Sequence, residues 1–391
     1  MQKVAIGLIL TLLIVISLLS QKVEGVGFEV NATNPQYIII EAYYGWDTLW
    51  VKNATDAVGR GTATRRLGIS ASIFAFDWSD DLIKQELDTL FSASEKNDVP
   101  LLLHIDTEHF WDNRPDLWNW WNESAPGYNP ENKDNVEWSD WDKPTNKSWI
   151  NWGAPFEHAP RMCFESSVVR NEISRKHAIV VNKLNTWLNH LSQINRTDLF
   201  IGIDAGWETG IDSYENVDWV PEGYRFHLGY CALSKRGFSA NNPPTDRELE
   251  LANAVKDFAT FEAKSLFDKG IPKEKIFTHI WGSEGQLGMG PVHIHAPIWT
   301  AVNNYSIPGL SLYTIYPGYY NYSQVSSLVA GKEWAFIETP PLNVSEYDYF
   351  LNSKNNSLGY NKMIVIYGWG STIQNYPDRI ASIKDALSKI F

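Results

Sequence analysis

Asp198-Leu-Phe-Ile-Gly-Ile-Asp-Ala-Gly-Trp-Glu208 and Glu333-Trp-Ala-Phe-Ile-Glu338 are two short apolar runs that each close on a glutamate. Runs of this length, rich in β-branched and aromatic residues, read as buried strands. As the fourth and seventh strands of an eight-stranded barrel, they would bring both carboxylates to one mouth.

Six further runs of the same kind flank these two. Together they are Tyr37–Gly45, Leu67–Trp78, Val99–Trp111, Leu199–Gly210, Lys275–Gly282, Leu310–Pro317, Glu333–Pro340 and Met363–Gly370. Helical patterns with charged faces lie at Asp80–Lys96, Glu165–Gln193, Asp246–Asp268 and Asp378–Ile390, with weaker ones after the first, fifth, sixth and seventh runs. Strands alternating with helices predict a parallel sheet, and eight units predict closure into a (β/α)8 TIM barrel of the α/β class. The competing architecture, an open doubly wound sheet, lacks a Gly-rich phosphate fingerprint after the first run. A length of 391 residues with 44% hydrophobic and 14% aromatic content suits one elaborated barrel and excludes a disordered chain.

The N-terminus reads as an export signal. Val4 to Leu19 is an almost wholly apolar run behind Lys3, and Val23-Glu24-Gly25 supplies small residues for cleavage. Residues 1–25 are therefore expected to be a signal peptide, or else an uncleaved anchor, with a single catalytic domain over 26–391. Nine Asn-x-Ser/Thr sequons, at Asn31, Asn53, Asn122, Asn146, Asn195, Asn304, Asn321, Asn343 and Asn355, point to a secreted glycoprotein. Composition alone would give roughly three or four. The two cysteines, Cys163 and Cys231, match no zinc spacing and leave a disulfide and two buried thiols both open. A net charge of −13 without a basic tract argues against nucleic acid or an anionic membrane as partner.

Two stretches exceed ordinary connections and are expected as insertions on the catalytic face, at about 107–162 after strand three and 211–245 after strand four. The first holds Trp111, Trp118, Trp120, Trp121, Trp138, Trp141, Trp149 and Trp152, eight of the 18 tryptophans. Flat indoles serve either as platforms for pyranose rings or as a small core for a long loop.

Catalytic groups of a parallel barrel come from the carboxyl ends of its strands. The ionisable residues there are Glu41, Asp77, His104, Asp106, Glu108, His109, Asp204, Glu208, His279, Glu284 and Glu338. Alternation turns Ile201, Ile203 and Ala205 to the helices and Asp204 and Glu208 to the axis. By the same period Leu101, Leu103 and Ile105 face outward and His104, Asp106 and Glu108 inward. In strand seven it turns Ala335 and Ile337 outward and Glu338 inward. An inward glutamate at a strand end is costly unless it has work to do, because burying an unpaired charge is expensive. Two such carboxyl groups are the minimal equipment for glycoside cleavage.

The placement of Glu208 and Glu338 resembles the clan of retaining (β/α)8-barrel glycoside hydrolases, whose acid/base follows strand four and whose nucleophile follows strand seven. The resemblance implies that Glu208 donates a proton to the leaving oxygen while Glu338 attacks the anomeric carbon, and it implies no cofactor. It also assigns Trp369, in Tyr367-Gly-Trp369-Gly, to the floor of the cleavage subsite. Tyr313 and Tyr316 would bond the nucleophile, and His104 would contact a sugar hydroxyl. Glu41, Asp106, His109, Trp111, Trp207, His279 and Trp281 complete the candidate carbohydrate-binding set. Trp207 stands where most members carry Asn. Two other readings compete: a metal-dependent hydrolase using His104, Asp106, His109, His279, His293 and His295, and a glycan-binding barrel without catalysis.

Overall fold

Every strand of the barrel is buried on both faces, the pattern of a parallel sheet wrapped by helices. The computed structural model describes residues 34–42, 47–151, 155–213, 220–282, 293–311, 327–329, 331–352 and 359–389. The strands are β1 (Gln36–Ala42), β2 (Arg65–Phe74), β3 (Leu101–Asp106), β4 (Phe200–Thr209), β5 (Ile276–Ile280), β6 (Gly309–Ser311), β7 (Glu333–Thr339) and β8 (Tyr360–Ile366). Each overlaps one of the eight runs read from the sequence. They pair in chain order into a closed barrel, and β1 meets β8 in parallel register from Tyr37↔Met363 to Ile40↔Ile366.

The outer layer contains α1 (Thr48–Val58), α2 (Asp80–Asn97), α3 (Ser167–Gln193), α4 (Arg247–Phe267), α5 (Val344–Leu351) and α6 (Pro377–Ser388). The first four each start on a side chain that accepts from an otherwise orphaned helical N–H: Asp47 from Trp50, Ser79 from Leu82, Ser166 from Val169 and Asp246 from Leu249. Among the described residues, the connection after β5 contains a short strand, His293–Ile294, and a 3₁₀ turn, Ile298–Ala301.

Two cores result. Ile38, Ile69, Leu103, Ile203, Phe336 and Ile364 pack with the helices, whereas Tyr37, Ile39, Leu102, Ile201, Phe277, Ala335, Ile337, Met363 and Val365 fill the barrel. Ile201, Ala335 and Ile337 thus point inward, opposite to the direction that strict alternation gives. The reason on β4 is a register shift: Leu101 pairs with Phe200 and Leu102 with Gly202, so Ile201 is an extra residue and the phase inverts after it. On β7 Leu310 pairs with Phe336 and Ser311 with Glu338, which makes Ile337 extra and lets Glu338 keep its inward direction. Ile203 and Ala205 do face the helices, as do Leu101, Leu103 and Ile105.

Two long excursions lie at the carboxyl ends of β3 and β4. The first carries hairpins Trp138–Asp140 with Lys143–Pro144 and Ser148–Asn151 with Pro155–His158. The second carries a short helix, Tyr230–Lys235. A buried glutamate fastens one to the other: Glu137 Oε2 accepts from the backbone N–H groups of Gly229 (3.1 Å) and Cys231 (3.3 Å). Burial pushes the Glu137 carboxyl up to about 7 although these N–H groups pull it down.

Candidate active site

The carboxyl ends of β4 and β7 deliver Glu208 and Glu338 to one place, both buried. An oxygen of each lies within 4.8 Å of the other and of a His279 nitrogen. Glu208 adopts φ 51°, the left-handed region that a non-glycine residue rarely enters. Backbone of this kind persists where its surroundings enforce it, commonly at functional sites.

Below the pair runs a chain of alternating acids and imidazoles contributed by β1, β3, β4 and β5. Glu41 Oε1 is 2.6 Å from His104 Nδ1, His104 Nε2 is 3.6 Å from Asp204 Oδ2, and Asp204 Oδ2 is 3.0 Å from His279 Nδ1. His279 Nε2 then lies 2.6 Å from Ser311 Oγ and 3.7 Å from Glu338 Oε2. His104 Nε2 donates to Gly206 O at 3.1 Å, and the Ser72 hydroxyl donates to Glu41 at 3.3 Å. Burial opposes a charge on His104, but Asp204, Glu41 and Glu338 outweigh it and push the imidazole up to about 10. Burial and the neighbouring His104 charge hold His279 well below the usual imidazole range. Burial pushes Asp204 up to about 7, against the pull of His104. A cationic His104 thus sits beside a neutral His279, whose Nδ1–H goes to Asp204 and whose Nε2 accepts from Ser311.

Trp207, the residue between Gly206 and Glu208, is buried. Its indole N–H donates to Glu338 Oε2 at 2.8 Å, and its ring meets the edge of His104 with centroids 4.6 Å apart. Trp207 therefore orients the opposite carboxylate.

The remaining candidates divide. Asp106 Oδ1 accepts the backbone N–H groups of Glu108 and His109 at 2.9 and 3.1 Å, which shapes the turn leaving β3. The His109 ring stands edge-on to Trp207 at 6.1 Å. Glu41, Asp106 and His104 are buried. Trp111 is enclosed within the first excursion, its N–H on Pro160 O, and Trp118, Trp120 and Trp138 likewise donate to carbonyls of that excursion. For these four indoles the small-core reading describes their packing, while Trp121 is 36% exposed. Trp369 packs in the helix-side core with its ring 5.8 Å from Trp50, and partly buried Trp281 rests against the same core. Tyr313 and Tyr316 lie outside the described residues.

Three residues around the pair and the chain of acids and imidazoles below it carry no mark in the sequence. Tyr367, the residue after β8, has its phenol raised by burial and by the charges of Glu338 and Glu208. Nothing in the sequence marks Ser311 or Ser72, because a lone serine in a strand carries no chemical signature. Among the described residues, ligand-type atoms converge within 4.8 Å at His104, Asp204 and His279, at Glu208, His279 and Glu338, and at His227, Glu248 and His295. In the first two groups every imidazole nitrogen already has a protein partner, which fits a hydrogen-bond network better than an ion's donor set.

No family model matches the chain, and no curated protein matches it. Solved structures do resemble it. A ruminal family 26 endo-β-1,4-mannanase shares 9% identity, with 92% of this chain and 64% of that chain covered at a TM-score of 0.45. A family 5 glycoside hydrolase from Prevotella bryantii B14 shares 9% identity over 91% of this chain and 97% of that one, TM-score 0.42. A Thermomonospora fusca β-mannanase solved with mannotriose shares 10% identity over 86% and 78%, TM-score 0.39. The chain thus spans less than two thirds of the first of these, and identities this low carry no residue role across.

Proposed function

We propose that this protein is an exported glycoside hydrolase that cleaves O-glycosidic bonds of an oligo- or polysaccharide by double displacement with retention. The observation that carries the reading is the buried pair Glu208 and Glu338, with oxygens within 4.8 Å. Carboxyl groups about 5–5.5 Å apart suit a nucleophile and an acid/base, whereas about 6.5–9.5 Å leaves room for the water of an inverting enzyme. In the first step Glu208 gives its proton to the glycosidic oxygen as Glu338 Oε2 or Oε1 bonds the anomeric carbon. In the second Glu208 takes a proton from water, whose oxygen displaces Glu338 and frees the sugar. The Trp207 N–H steadies the Glu338 charge before attack and must yield as the ester forms.

Export as a glycoprotein forms part of the proposal. The six sequon asparagines among the described residues, Asn53, Asn122, Asn146, Asn195, Asn304 and Asn343, are all exposed, while buried Asn97, Asn119, Asn132, Asn135 and Asn361 fall outside sequons. Both parts are tested on protein secreted from eukaryotic cells. Amidase removal of N-glycans should lower its mass, and a panel of chromogenic glycosides and β-linked glycans should be cut by wild type and not by Glu338→Ala. An inactive wild type across a broad panel favours the glycan-binding alternative.

A further inference from the structure

The segment that presents Glu208 is an arch with two left-handed residues, Gly206 at φ 87° and Glu208 at φ 51°. Something must hold it. Glu108, just beyond β3, reaches under the arch, and its Oε1 accepts from the Trp207 backbone N–H at 3.3 Å and from the Thr209 hydroxyl. A second buried acid approaches the same point from the helix layer. Glu262 of α4 accepts from the Thr107 hydroxyl, and a Cβ on Gly206 would lie 2.6 Å from Glu108 Oε1 and 2.7 Å from Glu262 Oε2.

Both side chains are almost fully enclosed, and Glu108 Oε2 and Glu262 Oε2 have no donor. No ion pair links either to a Lys, Arg or His among the described residues. Arg161 is the cation that faces Glu108, and its Nε is bound to Asp212 Oδ2 at 2.7 Å. Two bare carboxylates in such a site would be expensive, and one proton between them removes most of that cost.

We propose that Glu108 and Glu262 form a buried carboxyl pair that shares one proton and acts as a positioning clamp for the Glu208 arch. Burial and the Glu262 charge push Glu108 well above the carboxylate range, with Asp106 adding to the shift and Thr209 and Arg161 opposing it. Burial pushes Glu262 up to about 8, with Asp106 and Asp204 reinforcing and the Thr107 hydroxyl opposing. Where the pair's last proton leaves on the alkaline side, the carboxylates repel beneath Gly206, and Glu208 loses its aim.

The clamp's effect on catalysis rests on the proposed glycosidase reading, whereas the shared proton does not, so two readouts are needed. The first is melting temperature against pH for wild type and Glu262→Gln. The folded pair keeps a proton that the unfolded chain releases near the ordinary carboxyl value of about 4.3, so wild-type stability should fall as pH rises from there through about 8 and beyond. Glu262→Gln should flatten that decline; parallel curves overturn the shared proton. The second is kcat and KM against pH. Glu108→Ala should lower kcat by roughly tenfold or more with KM little changed, and Glu108→Gln, which keeps an acceptor for Trp207 and Thr209, should recover most of the loss. Glu262→Gln should move the alkaline limb of kcat. Wild-type kcat in Glu108→Ala, or an unmoved limb, overturns the positioning role. Diverging melting curves in a protein that cleaves no glycan would uphold the pair and sink the glycosidase reading instead.

Discussion

Trp207 shows how one side chain links two catalytic candidates, since its backbone belongs to the arch that carries Glu208 and its indole N–H belongs to Glu338. A hydrogen bond to a charged group contributes about 1.5–3 kcal/mol. Trp207→Phe keeps an aromatic ring but loses the donor and part of the indole volume, so kcat should fall by roughly 10- to 100-fold by steady-state kinetics, alongside a drop in melting temperature from the cavity by calorimetry. His104 acts through charge. Its imidazole is pushed up to about 10 when folded, against about 6.5 when unfolded. The stability from that charge is fully present below about pH 6.5 and is lost as pH rises through about 10, because the folded state holds the proton longer. The stability deficit of His104→Gln should therefore be largest at or below neutral pH and should shrink by pH 10 in thermal melts. Gly206 is fixed by geometry: with φ 87° and two carboxylate oxygens inside 3 Å of a Cβ, Gly206→Ala should destabilise the fold by about 1–3 kcal/mol and reduce activity more than stability.

At the level of elements, apolar runs and polar strand ends were legible because a parallel barrel buries both strand faces and exposes only its carboxyl ends. What alternation could not supply was the phase of β4 and β7. A bulge inserts one residue without altering composition, so Ile201, Ala335 and Ile337 were read to the wrong side while Glu338, lying beyond its bulge, was read correctly. Glu262 was invisible for a related reason. On α4 it looks like one of many charges on a solvated face, and only packing against β4 reveals it as buried. The cap of that helix offers a test at this scale. Asp246→Ala removes the acceptor for Leu249 N–H and should cost about 1 kcal/mol, measured by denaturant melts, with kcat unchanged because the cap lies far along the helix from Glu262.

Over the whole molecule, the barrel makes distant sequence positions converge: Glu41, His104, Asp204, Glu208, His279 and Glu338 come from five strands, or from the residues beside them, and meet in one network. Rank in the strand order was enough to pair the two glutamates from sequence alone. The hydrogen bonds that set their surroundings, through Trp207, Ser311 and Glu108, depend on register and bulges that only three dimensions show. Hydrolysis of a panel of β-linked glycans by wild type beside Glu338→Ala tests the central claim most directly. The account predicts reducing-end release by wild type and a loss of several orders of magnitude in the variant with its melting temperature preserved; equal rates in the two proteins would contradict it.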